Sequence, residues 1–172
     1  MICLRIAFVC TGNTCRSIMA EALTRKVLHQ IGDSNIDIKV ISAGLMAFPG
    51  SPASEHAVKL MAGWGIDISS HGARQFTEII ADEADLILTM TIAHKRAIIR
   101  EYPHLSPKVF TLGEYAETGH TDIIDPFGQP MPVYGQCAEE IRVLVERVIH
   151  RILDKGHETD KGHETDKDHG VD

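Results

Sequence analysis

The chain has 172 residues, 44% hydrophobic and 24% charged, which suits one globular domain with a full core and excludes two large ones. No run approaches the ~18 consecutive apolar residues of a membrane helix, and the first twenty residues lack the order of a secretory signal, so a soluble cytoplasmic protein without membrane association is expected. A formal charge of -7 with no lysine and arginine cluster argues against a nucleic-acid surface but leaves small anionic groups as ligands.

Residues 4–9 form an apolar run that reads as a buried strand, and residues 17–31 follow with Ile18, Ala22, Leu23, Val27 and Ile31 at helical spacing. Residues 36–42 predict a second strand, after which Gly44, Pro49, Gly50 and Pro52 mark a loop. Ser54 opens a helix that Gly63 and Gly65 close. Residues 85–88 read as a third strand, 93–101 as a helix stopped before Pro103, and 108–110 as a fourth strand. Residues 113–133 are loop-rich. A last helix runs from about residue 134 to 153, with Ile141, Leu144, Val145, Val148, Ile149 and Ile152 as its apolar stripe. Strands alternating with helices predict a four-stranded parallel sheet covered on both faces, a doubly wound α/β sandwich. Ligands of such sheets lie beyond the carboxyl ends of the strands, which puts the first βα loop, residues 10–16, in the favoured place.

The domain is expected to span residues 1–153. From Lys155 the hexamer Lys-Gly-His-Glu-Thr-Asp occurs twice and then decays, giving residues 154–172 seven acids, three lysines and almost nothing apolar to bury. Such a tail is expected to be disordered and solvated; weak divalent-metal binding by its three histidines is the less favoured alternative. The cysteines, Cys3, Cys10, Cys15 and Cys137, show no paired CxxC spacing, so neither a zinc site nor a disulfide framework is expected.

After the first strand the chain reads Cys10-Thr11-Gly12-Asn13-Thr14-Cys15-Arg16-Ser17. A cysteine six residues before an arginine is weak evidence by spacing alone. Here the cysteine ends a buried strand, Gly12 and Asn13 permit positive φ, and Arg16 opens a helix. Backbone N–H groups of a tight loop and a helix N-terminus then converge on one centre, an oxyanion cradle to which Arg16 adds a planar two-pronged donor. A cradle that favours a bound anion also favours an anionic sulfur, so nucleophile and oxyanion site share one loop. Read instead as a small buried apolar residue, Cys10 leaves the Gly-Asn turn and Arg16 unexplained.

Cys-x5-Arg-Ser in the first βα loop resembles the low-molecular-weight protein phosphatase family, and the resemblance covers residues 4–153. Ser42-Ala43-Gly44, Gly65-Ile66-Asp67, His71-x-Ala73-Arg74-Gln75 and Asp125-Pro126 resemble further family segments. The resemblance implies a phosphoenzyme mechanism in which Cys10 attacks phosphorus, Arg16 holds the equatorial oxygens, and Asp125 protonates the leaving group and later activates water. Thr11, Gly12, Asn13, Thr14, Cys15 and Ser17 would line or support the phosphate loop, with His71 behind Asn13 or else a surface-loop histidine. Cys15 would be a redox partner for Cys10 through a reversible disulfide, or only a packing residue. No cofactor and no metal are implied, the partners are phosphorylated protein substrates, and a monomer is expected.

Departures from the commonest family pattern bear on substrate. Thr14 stands where tyrosine-specific members often carry a bulky aliphatic, and Phe127 follows Asp125-Pro126 where they place tyrosine or tryptophan. Thr14, Asp-Pro-Phe-Gly and Met90-Thr91 resemble the bacterial protein-arginine phosphatases. Phosphoarginine is therefore the favoured substrate and phosphotyrosine the alternative. An arsenate reductase needs further cysteines to carry a disulfide outward, and none lies between Cys15 and Cys137. A non-catalytic anion-binding module would not need Cys10, Arg16 and Asp125 together.

Overall fold

A computed structural model describes residues 1–32, 34–119 and 122–161 of the chain. Four parallel strands, β1 (Ile2–Cys10), β2 (Ile36–Gly44), β3 (Leu86–Thr89) and β4 (Val109–Thr111), form one sheet in the order β2-β1-β3-β4. The helices are α1 (Arg16–Ile31), α2 (Glu55–Gly63), α3 (Glu78–Glu83), α4 (Ile92–Glu101), the single turn α5 (Leu112–Tyr115) and α6 (Met131–Lys161), with a 3-10 turn over Pro103–Lys108. This is the expected doubly wound α/β sandwich.

The period of two along β1 assigns its side chains to two cores. Ile6, Phe8 and Cys10 face the larger one, with Met19 and Leu23 of α1 and Ile141, Val145 and Val148 of α6. Ala7 and Val9 face the smaller one, with Ile87, Ile98 and Leu105. Full burial of each large side chain contributes about 1.5–3 kcal/mol, so the central strand is held from both faces and its carboxyl end at Cys10 is a rigid platform.

Helix starts follow local chemistry. Ser54, Thr77, Thr91 and Thr111 each accept a backbone N–H of the helix that they precede, and Thr111 with Glu114 completes a capping box. Cys15 precedes α1 without a side-chain cap, and no acid lies in that first turn.

The last helix departs from expectation at both ends. It begins at Met131, since Pro132 in a first turn lacks only an N–H that has no acceptor within the helix. It also continues to Lys161, through the first copy of the hexamer, where disorder from residue 154 was expected. Gly156 explains part of the extension: a Cβ there would stand 2.4 Å from Ile36 Cδ1, so this turn rests on the start of β2. The later copies of the repeat lie outside the described residues.

Candidate active site

The loop between β1 and α1 is shaped by its neighbours. Leu45 N donates to Cys10 O at 3.0 Å and Met46 N to Thr11 O at 2.9 Å, which ties the loop to the end of β2. Gly44 lies directly beneath: a Cβ on it would fall 2.5 Å from Thr11 O and 2.9 Å from Asn13 N, so any larger residue displaces the loop backbone. On the far side, Ser54 N donates to Thr14 O at 2.8 Å.

Asn13 is the loop's internal brace. It is fully buried, with φ of 57°, a left-handed conformation that asparagine tolerates better than most residues. Its Oδ1 accepts from Arg74 N at 2.9 Å, which leaves Nδ2 to donate to Ser17 Oγ at 2.8 Å. His71 Nε2 lies 2.7 Å from Asn13 O. Because Ser17 Oγ already accepts from Asn13, its hydrogen is free for Cys10 Sγ, 2.9 Å away. Asn13 N also donates to the sulfur at 3.3 Å. A buried sulfur is thus met by two donors at the uncapped start of a helix, an arrangement that stabilises negative charge there.

Arg16 is buried and points across this opening. Its Nη1 donates to Ile123 O at 2.9 Å, and Nη2 lies 3.4 Å from Asp125 Oδ2. Ile123 N in turn donates to Met90 O, so the segment carrying Asp125 is fixed to the end of β3. Asp125 Oδ1 accepts from Phe127 N at 3.1 Å, and the carboxylate is about half exposed. Cys10, Thr11, Gly12, Thr14, Cys15, Arg16, Asp125 and Phe127 line one cavity of about 210 Å³. A larger groove beside α1 lacks Cys10, Arg16 and Asp125.

The phosphate-loop residues, Asp125 and Phe127 thus meet at this cavity, whereas Gly65-Ile66-Asp67 line the groove beside α1. Asn13, Ser17 and His71 stand behind the wall. Cys15 turns its sulfur toward Ser54 Oγ and Tyr134 OH, both at 3.3 Å, and the four cysteines are free thiols. Burial pushes the Cys137 thiol up to about 12 and keeps it protonated. Burial, together with the bond to Cys15, likewise pushes Tyr134 up to about 12.

His94 is the neighbour that sequence reasoning missed. It is buried on the first turn of α4, with Nε2 2.9 Å from Thr11 Oγ1. Burial first, then the charge of Arg16, lowers its pKa to about 4. No signal in the sequence marks it, because the contact depends on β3 lying beside β1.

Among the described residues no group of three or more His, Cys, Asp or Glu side chains is placed to hold a metal ion, and no helix is long and apolar enough to cross a membrane.

Residues 5–158 match the family model described as low molecular weight phosphotyrosine protein phosphatase. A protein-arginine-phosphatase of Bacillus subtilis (strain 168) is 39% identical over 147 residues, 86% of this chain and 95% of its own length. A probable low molecular weight protein-tyrosine-phosphatase, EpsP, of Ralstonia nicotianae is 41% identical over 147 residues, 86% of this chain and 94% of its own. Among solved structures, a cysteine-to-serine mutant of the YwlE arginine phosphatase with a phosphorylated active site serine superposes with a TM-score of 0.80 at 38% identity, covering 87% of this chain and 95% of that one.

Proposed function

Because the chain belongs to the low molecular weight phosphotyrosine protein phosphatase family, we propose that it hydrolyses phosphorylated protein side chains through a phosphocysteine at Cys10, with phosphoarginine as the substrate class. The observation that carries the first part is the meeting of Cys10 Sγ, two donors to that sulfur, the Arg16 guanidinium and the Asp125 carboxyl on one cavity.

The substrate's phosphoryl oxygens take the loop N–H groups and Arg16, which serves as a bidentate clamp. Cys10 Sγ attacks phosphorus, forming S–P as the bond to the leaving nitrogen or oxygen breaks, and the Asp125 carboxyl supplies the proton to the departing atom. The Asp125 carboxylate then accepts a proton from water, whose oxygen bonds to phosphorus as S–P breaks. Inorganic phosphate leaves, and the thiolate returns to the bonds from Ser17 and Asn13. The phosphorylated serine in the related arginine phosphatase supports a covalent step at the matching place. Cys15, on the same loop, is the candidate partner of Cys10 in a protective disulfide.

Thr14 and Phe127, both on the cavity wall, support the choice of phosphoarginine. A guanidinium leaving group is planar, charged and rich in N–H donors. Thr14 offers it a hydroxyl and the room that a branched aliphatic would fill, and the Asp125 carboxylate left by the proton transfer attracts the departing guanidinium. The alternative, phosphotyrosine, rests on relatives such as the Ralstonia protein.

Turnover of phosphoarginine and phosphotyrosine peptides, measured side by side for the wild type, Cys10→Ser and Thr14→Ile, tests both parts. Cys10→Ser is expected to abolish turnover of both. Thr14→Ile is expected to shift the ratio toward phosphotyrosine by about tenfold or more, the scale of one misfitting polar contact. A wild type that prefers phosphotyrosine, or an unchanged ratio, overturns the arginine reading and leaves the phosphatase reading in place.

A further inference from the structure

His94 is a buried titratable group beside the cavity to which the mechanism above gives no task. Only 8% of its surface is exposed; its Nε2 meets Thr11 Oγ1 at 2.9 Å, and its buried Nδ1 has no hydrogen-bond partner. An apolar side chain would fill this place without burying an unpaired nitrogen, so the imidazole is accounted for by its other nitrogen.

The proton can be placed. Burial and Arg16 hold the ring's pKa down to about 4 against the opposite pull of Asp125 and Asp122, so near neutral pH the ring carries one proton. A buried N–H without an acceptor is rarer and costlier than a lone pair without a donor. The proton therefore sits on Nε2 and is donated to Thr11 Oγ1. Thr11 then owes no hydrogen to His94, and its own O–H is free.

Thr11 is well fixed for a task of its own. Its carbonyl accepts from Met46 N on the β2 side, while its hydroxyl is held from α4 on the β3 side. The Thr91 cap on His94 N secures that turn of α4. The residue is exposed and lines the cavity shared by Cys10, Arg16 and Asp125.

We propose that the Thr11 side chain is a further phosphoryl-binding group, its O–H donating to a phosphoryl oxygen in the cavity, and that His94 is its positioning residue through Nε2–H. This rests on the reading of the cavity as a phosphoryl site and adds a side-chain donor to the loop's backbone N–H groups. It also makes α4 part of substrate binding.

The test measures inhibition by inorganic phosphate, and kcat and KM with para-nitrophenyl phosphate, in folded wild type, Thr11→Val, Thr11→Ser, His94→Ala, His94→Gln and the double variant Thr11→Val/His94→Ala. Thr11→Val is expected to weaken phosphate binding by roughly tenfold, the scale of one hydrogen bond to a charged group, while Thr11→Ser stays within about twofold of wild type. His94→Ala is expected to weaken it by roughly threefold or more, His94→Gln to recover much of that through its own N–H, and the double variant to be no worse than Thr11→Val alone. Thr11→Val binding phosphate as the wild type does overturns the proposal, and so do additive losses in the double variant. If His94→Ala does not fold, the coupling is read with His94→Leu, which fills the place without an N–H, in the wild-type and Thr11→Val backgrounds: an equal loss in both overturns the part given to His94. A wild type that neither turns over the ester nor binds phosphate fails the phosphatase reading itself, a result separate from these.

Discussion

Asp125 and Arg16 lie 3.4 Å apart, one half exposed and the other buried, an asymmetry that suits the tasks proposed for them. Arg16 is buried and held by Ile123 O, whereas Asp125 is bound by its own turn and faces solvent. Under the proposed mechanism a phosphoryl group taking Arg16 displaces the Asp125 side chain from the guanidinium and frees its carboxyl to carry a proton to the leaving atom. Asp125→Asn keeps the shape and removes the proton. Phosphoenzyme formation from a substrate with a poor leaving group is therefore expected to slow by roughly 10²–10⁴-fold, and from one with a very good leaving group far less. Burst kinetics on two aryl phosphates of different leaving-group acidity check this; equal losses on both mean that Asp125 does not supply the proton.

At the scale of elements, α4 links the stability of the fold to pH. Its His94 binds a proton near pH 6.5 when unfolded but only near about 4 when folded, so between these values the unfolded chain holds more protons. The stability that His94 contributes is then complete above about pH 6.5 and is lost as pH falls toward about 4. Thermal melts from pH 7 to 4.5 are expected to show a steeper loss for the wild type than for His94→Gln; parallel curves would mean that another group sets the slope. The residues that lead to this element were only partly legible. The β1–loop–α1 unit was plain because apolar period, turn residues and a helix start agreed within thirty residues. By contrast α3 and α5 are too short for helical periodicity, although Thr111-x-x-Glu114 carried a capping-box signature. The His94 to Thr11 contact spans 83 positions and follows only from the order of strands in the sheet. The end of α6 escaped because its apolar stripe stops at Ile152, while Gly156 packs by lacking a side chain.

For the whole molecule, the question is where the body ends. The apolar stripe of α6 ends at Ile152, yet the helix carries Gly156 onto Ile36, a partly buried residue packed against the main core. Residues 162–172 hold one apolar side chain, Val171, four acids and one lysine. A segment of that composition has almost nothing to bury, so its removal is expected to leave melting temperature and turnover unchanged while making the net charge less negative. Cutting after Leu153 also removes the turn that covers Ile36. Re-exposing part of that side chain costs about 1 kcal/mol. On a domain of this size that lowers the melting temperature by about 2–4 °C. Turnover is expected to persist, because the cavity is built from the opposite, carboxyl end of β1. Melts and ester hydrolysis for the full chain and for chains ending at Lys161 and Leu153 separate the two cuts. A loss on removing residues 162–172 alone would mean that the repeat docks on the domain, and equal stability of all three chains would mean that the Gly156 turn contributes nothing to holding β2.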